Sequence, residues 1–421
     1  MKNIKKCMAV ILMTVCMLCG VGLTESHAES RTVAINEENF PDDNFREYIK
    51  SNCADGRNVL NSKDIKKTKS IWVSYMDIES LKGIEYFTEL EYLWCDNNNL
   101  NSLDVSKNKK LIGIRCNSNQ LTSLDLKKNI KLESLDCTFN QIETLDLSSN
   151  KALSELDCGF NSFKTLDFSK NTKLMHLDVG GNLELTKINV RQCKQLDDLF
   201  AGSCQLESLD VSKNTQLVVL QCGSNQLDKL DVSKNRRLIS LSCGWNQLQK
   251  LDVSKNKELQ ELICGFNQLK KLDVSKNKKL KSLGCENGAN GAIDSADPEY
   301  ASKLVTLKTL DVSRNPELES IDCSGNNLNK LDVSHNPKLH TIKCSYNKLT
   351  KIDVTHQPDL VELSCRKNMI KKLNLSKNSK LSTLDCRENA LTTLDLRHNT
   401  LVNYLMFDED QVKLLGNNPM K

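Results

Sequence analysis

From residue 90 onward the chain repeats itself every 21 residues, and nothing else in it constrains the fold so tightly. Residues 217–237 read LVVLQCGSNQLDKLDVSKNRR, 238–258 read LISLSCGWNQLQKLDVSKNKE, and 259–279 read LQELICGFNQLKKLDVSKNKK. Each unit holds two half-repeats of the form LxxLxΦxxN, one with Cys at Φ and one with Val or Leu. Fourteen units run from Leu90–Asn98 to Leu381–Asn389, with the period broken at only two places. A chain of 421 residues would ordinarily divide into domains of roughly 150. A repeat that cannot bury its apolar face alone builds one continuous stack instead.

Alternation gives the local structure. In LxC and LxV the outer residues point one way and the middle one the other, as a strand requires. Leu, Cys and Val therefore face a core, and the middle residue faces solvent. The Asn closing each half (Asn98, Asn119, Asn225, Asn246) is expected to turn inward and satisfy loop backbone groups of neighbouring coils. A period of about 20–29 residues with this consensus marks leucine-rich repeats. The expected fold is an α/β repeat solenoid dominated by parallel β-strands, a rod or arc of roughly 65 Å with a short helical N-terminal cap.

The 21-residue unit, its alternating 10- and 11-residue halves and the Cys at one strand position resemble secreted bacterial leucine-rich repeat proteins of the internalin type, in particular those with a cysteine ladder. The resemblance spans residues 71–400 and implies an extracellular recognition scaffold, often an adhesin. No LPxTG-type motif or hydrophobic tail follows residue 400, so covalent wall anchoring is not expected.

The flanks read differently. Lys2, Lys5 and Lys6 precede an almost wholly apolar Cys7–Leu23, and Ser26 and Ala28 supply the small residues a signal peptidase reads. Residues 1–28 are thus expected to be a signal peptide, with no membrane span in the mature chain. Residues 29–70 are expected to form the helical cap: Phe45, Tyr48 and Ile49 follow Pro41 and Asp42 at helical spacing. Cys53–Asp64 resembles a calcium loop only faintly, since Cys53 and Arg57 fall where oxygen ligands belong. The solenoid is placed at 71–400, with an insertion near 286–306 that interposes 17 residues, and a C-terminal cap at 401–421, where the register is expected to lapse after Asn399.

Twelve cysteines share one position: Cys95, Cys116, Cys137, Cys158, Cys222, Cys243, Cys264, Cys285, Cys323, Cys344, Cys365 and Cys386. Side chains pointing in parallel into a core, one coil apart, suit small apolar packing better than disulfides or metal ligation. Cys193 and Cys204 stand where Asn is expected and are read as bonding in its place. The Asp column of the second half, from Asp104 to Asp395, reads as a structural network, and the His335, His356 and His398 column as solvated.

No catalytic motif, cofactor fingerprint or metal site is recognisable, and a formal charge of +4 gives no reason to expect nucleic acid. The expected function is an exported, adhesin-like binding scaffold, monomeric and not an enzyme, for an extracellular protein or glycan. The alternative is a structural or self-associating envelope component. The ligand is expected on the Cys-containing face, where the middle position varies from coil to coil. Candidate contact residues there are Trp94, Phe139, Phe160, Phe200, Trp245, Phe266 and Tyr346, taken as exposed by the alternation rule.

Overall fold

The computed structural model describes residues 32–288 and 306–416. The expected signal peptide and most of the insertion near 286–306 lie outside the described residues. The chain is a parallel-β solenoid. One sheet of 16 strands runs from Ser70–Trp72 to Tyr404–Met406, every strand three residues long and paired in parallel with its sequence neighbours along the stack. At about 4.8 Å per strand the stack extends roughly 70 Å.

Twelve of these strands come from the Cys-containing halves, and Val73, Val179, Ala201 and Phe407 stand in the cysteine's place after the other four. Among the described residues the second halves form ladders at two places, Thr165–Asp167 with Lys187–Asn189 and Thr393–Asp395 with Lys413–Leu415. Between the two faces lies the core: Leu217, Leu220 and Cys222 of one coil are fully buried, as are Leu227 and Val232 of its second half. Each such Leu contributes about 1.5–3 kcal/mol of burial. No coil closes that core by itself.

Asparagines hold the turns. Asn119 Nδ2 donates to the Cys95 carbonyl of the preceding coil (3.0 Å) and to the Cys116 carbonyl of its own (3.1 Å), while its Oδ1 accepts from the Leu100 N–H (3.0 Å). In the second half, Asn235 Nδ2 donates to the Val211 and Asn214 carbonyls at 3.0 and 2.8 Å. Where cysteine replaces Asn the bonds are fewer and longer: Cys193 Sγ reaches the Phe168 carbonyl at 3.5 Å and Cys204 Sγ the Val179 carbonyl at 3.4 Å. Neither is in a disulfide.

The sheet absorbs both breaks in the period. The extra residue after Asn182 leaves His176 opposite Asp198, and the 17-residue insertion leaves Ser282 opposite Ser320.

The C-terminal end departs from expectation. Register does not lapse after Asn399: Val402 and Leu405 keep the 21-residue spacing from Leu381 and Leu384, are buried, and carry Tyr404–Met406 into the sheet. Val402 and Phe407 take the places of Leu and Cys, so the consensus is lost while the apolar pattern persists. Together with Ser70–Trp72 at the other end, this strand brings the count to 16 rather than fourteen.

At the N-terminal end a helix spans Asp43–Tyr48, capped by Asp42, whose side chain accepts from the Phe45 N–H. The other oxygen of Asp42 accepts from the Glu79 N–H at 2.8 Å, tying the helix to the first coil. Gly83 (φ 106°) lets the backbone pass the buried Phe40 ring, which a Cβ there would meet at 2.2 Å. Asp64, in the stretch resembling a calcium loop, closes a capping box with Asn61 and pairs with Arg57 at 2.8 Å. Its Oδ2 serves both the helix N-terminus, through the Asn61 N–H, and the Arg57 pair.

Candidate binding face

Two columns of side chains leave the 16-stranded sheet on its outer side, one on each flank of the buried Leu. Both change from coil to coil. At the N-terminal end Trp72 and Trp94 stack at 5.3 Å between centroids and 16° between planes, and the Arg115 guanidinium lies 5.5 Å over the Trp94 ring. Trp72 is 58% exposed, with Tyr75, Met76 and Tyr92 exposed beside it. Trp94 itself is half-buried, as is Phe200, whose ring tilts against His176 at 5.4 Å.

The middle of the face is acidic. Asp136, Asp157 and Asp178 occupy one position on successive strands, with Glu155 and Asp198 in the adjoining column. Partial burial holds the Asp136 and Asp178 carboxyls above the usual carboxylate range, and the Asp157 charge pushes the same way. His176 sits among them, Nε2 3.0 Å from Asp157 and Nδ1 3.8 Å from Asp198. The hydrogen bond with Asp157 keeps the imidazolium favoured to higher pH than usual, against the cost of burying the ring.

The other aromatic candidates do not project from strands. Phe139, Phe160, Trp245, Phe266 and Tyr346 all fall on the third residue beyond a strand's end, where the chain turns, each with φ between 52° and 55°. A left-handed conformation costs a side-chain-bearing residue about 1–2 kcal/mol. Stacking offsets it: Phe139 lies on Phe160 at 4.4 Å and 6°, Trp245 on Phe266 at 3.8 Å and 13°. Tyr346 is half-buried under Arg366 and Lys367. Gly181 holds the next place after Phe160, where a Cβ would stand 2.6 Å from that ring.

One expectation fails here. Phe266 is only 7% exposed, because the Trp245 indole covers it; Phe139 and Phe160 are exposed by half. The alternation rule holds within a strand and says nothing of a turn residue, whose ring is free to lie along the stack.

Beneath the face run the cysteines. All twelve ladder thiols are buried and none is in a disulfide. Burial pushes the Cys222 and Cys264 thiols up to about 12, so neither offers a thiolate near neutral pH.

This arrangement is similar to the functional domain of internalin J from Listeria monocytogenes, which includes a cysteine ladder. Identity is 30% over 87% of this chain and 82% of that one, with a TM-score of 0.72. The chain belongs to the internalin family of leucine-rich repeat proteins. A leucine-rich repeat protein from Leptospira interrogans (21% identity, 78% of this chain and 92% of that one, TM-score 0.65) shares the fold. So does internalin F from Listeria monocytogenes (18%, 90% and 98%, TM-score 0.59). No protein-family model matches the sequence, and no curated protein matches it.

In this internalin-family chain the second-half Asp column is structural. Asp231 Oδ1 accepts from the Ser233 N–H at 2.9 Å, and Asp252 and Asp273 make the same turn bond; these bonds hold all three carboxyls below their usual range. Among the described residues no group of three His, Cys, Asp or Glu side chains could hold a metal, and no helix is long and apolar enough to cross a membrane. Sequence reading missed Trp72, Tyr75, Tyr92 and His176. Trp72 was findable, since it stands one coil before Trp94, but the first coil departs from consensus and hides the register.

Proposed function

We propose that this member of the internalin family is an exported, adhesin-like scaffold that binds a protein partner on the outer face of the 16-stranded sheet. It acts as a monomer and by recognition rather than catalysis. The observation that carries the reading is the contrast between faces. The sheet presents side chains whose character changes along its length, with an indole pair and a guanidinium at one end and a carboxylate cluster in the middle. A surface that changes along its length can encode one partner, and stacked aromatics beside Arg are the residue types that most often anchor interfaces. Export is supported by the leader-like residues 1–28.

The test is capture of extracellular host proteins by the immobilised chain, repeated with Trp72→Ala/Trp94→Ala and with Lys213→Ala/Lys234→Ala on the other half-repeat. Loss of the captured partner in the tryptophan variant alone supports the sheet face. Loss in the lysine variant alone moves the site off it.

A further inference from the structure

The second half-repeats carry a surface of a different kind. Residues 226–237, 247–258 and 268–279 contain twelve Lys or Arg against five Asp or Glu, whereas the sheet halves of the same coils, 217–225, 238–246 and 259–267, contain only Glu261. The basic residues fall in register. Lys234, Lys255 and Lys276 occupy one position on three successive coils, and Arg236, Lys257 and Lys278 another two residues on. All six are exposed, and none makes an ion pair among the described residues. The carboxylates among them are engaged: Asp231, Asp252 and Asp273 accept turn hydrogen bonds, and Glu258 pairs with Lys279. Arg236, Ser254, Lys255, Lys257, Glu258 and Lys276 line one open groove of about 630 Å³ across three successive coils.

We infer that this basic column binds a linear sulfated polysaccharide laid along the solenoid axis. The sheet face varies and suits a partner of unique shape. Here the same cation recurs at each coil, and a repeating surface matches a ligand that is itself a repeat. The charge selects an anion. The three segments contain no Phe, Trp or Tyr, so bases of a single-stranded nucleic acid would find nothing to stack on. The Ser254 side chain among the lysines of the groove suits a chain that carries hydroxyls beside its anionic groups over one that is anionic throughout.

The experiment uses the full chain and heparin as probe, measured by titration calorimetry at several salt concentrations. Neutral dextran, inorganic polyphosphate and duplex DNA form the other arms. The expected result is salt-dependent heparin binding, weakened at least tenfold in Lys255→Gln/Lys257→Gln/Lys276→Gln. In that variant the dependence of log K on log salt should be shallower by about 2–3, one counterion for each lysine lost. Lys63→Gln/Lys66→Gln/Lys82→Gln, with the same change in net charge, should bind as the unmodified chain does. Thermal unfolding of both variants, expected unchanged, separates loss of the surface from loss of the fold. No heparin binding, equal loss in the two variants, or polyphosphate or DNA bound as tightly as heparin would each overturn the inference.

Discussion

His176 and Asp157 lie on neighbouring strands of the outer sheet face with Nε2 and Oδ1 3.0 Å apart, and the ring is only 32% exposed. The pair joins two columns of the face and places an imidazole inside a carboxylate cluster.

That pair makes the sheet pH-sensitive. The Asp157 bond raises the folded-state pKa of His176 above its usual 6.5. The stabilisation is therefore complete below about pH 6.5 and is lost as pH rises through the folded-state pKa. A partly exposed pair of this kind is worth about 0.5–1 kcal/mol. His176→Gln should lower the melting temperature at pH 5.5 and leave it nearly unchanged at pH 8.5. An equal loss at both values would show that the ring acts by packing alone.

The asparagine ladder predicts opposite effects for two substitutions. Asn235→Ala removes the donor to the Val211 and Asn214 carbonyls and should cost about 2–4 kcal/mol in urea unfolding. Cys193→Asn restores a ladder amide where the thiol reaches only the Phe168 carbonyl, at 3.5 Å, and should stabilise by about 1 kcal/mol. A destabilised Cys193→Asn would mean that the coil has closed around sulfur.

Two phenylalanines in the same backbone conformation should differ. Phe266 and Phe139 both have φ near 52–53°, so the left-handed strain cancels in a comparison of their alanine variants. Phe266 is 7% exposed and Phe139 is 54%. Phe266→Ala should cost about 3 kcal/mol and Phe139→Ala about 1. Similar values from chemical denaturation would show that burial does not distinguish the two rings.

Thiol chemistry should report the integrity of the stack. With Cys222 and Cys264 pushed up to about 12 and buried, reaction with an aromatic disulfide reagent at pH 8 should be negligible in the native chain and fast in guanidinium. Rapid native reaction would mean that the coils open locally.

What the sequence determined by itself is whatever each coil repeats: the buried Leu and Cys positions, the parallel solenoid, the inward Asn. These follow from side-chain alternation and from backbone groups that must be paired, and most copies restate them. The tertiary structure decided what depends on the neighbouring coil. It carried Tyr404–Met406 into the sheet although the consensus had gone, because Val402 and Leu405 still meet the core of the coil before. It laid Trp245 over Phe266 and so buried a ring that the strand rule had left in solvent. It also set His176 against Asp157, 19 residues apart, in a contact that neither half-repeat contains. Such contacts pass from coil to coil, so the period of the sequence fixes where they can occur and the identity of two adjacent copies decides which form.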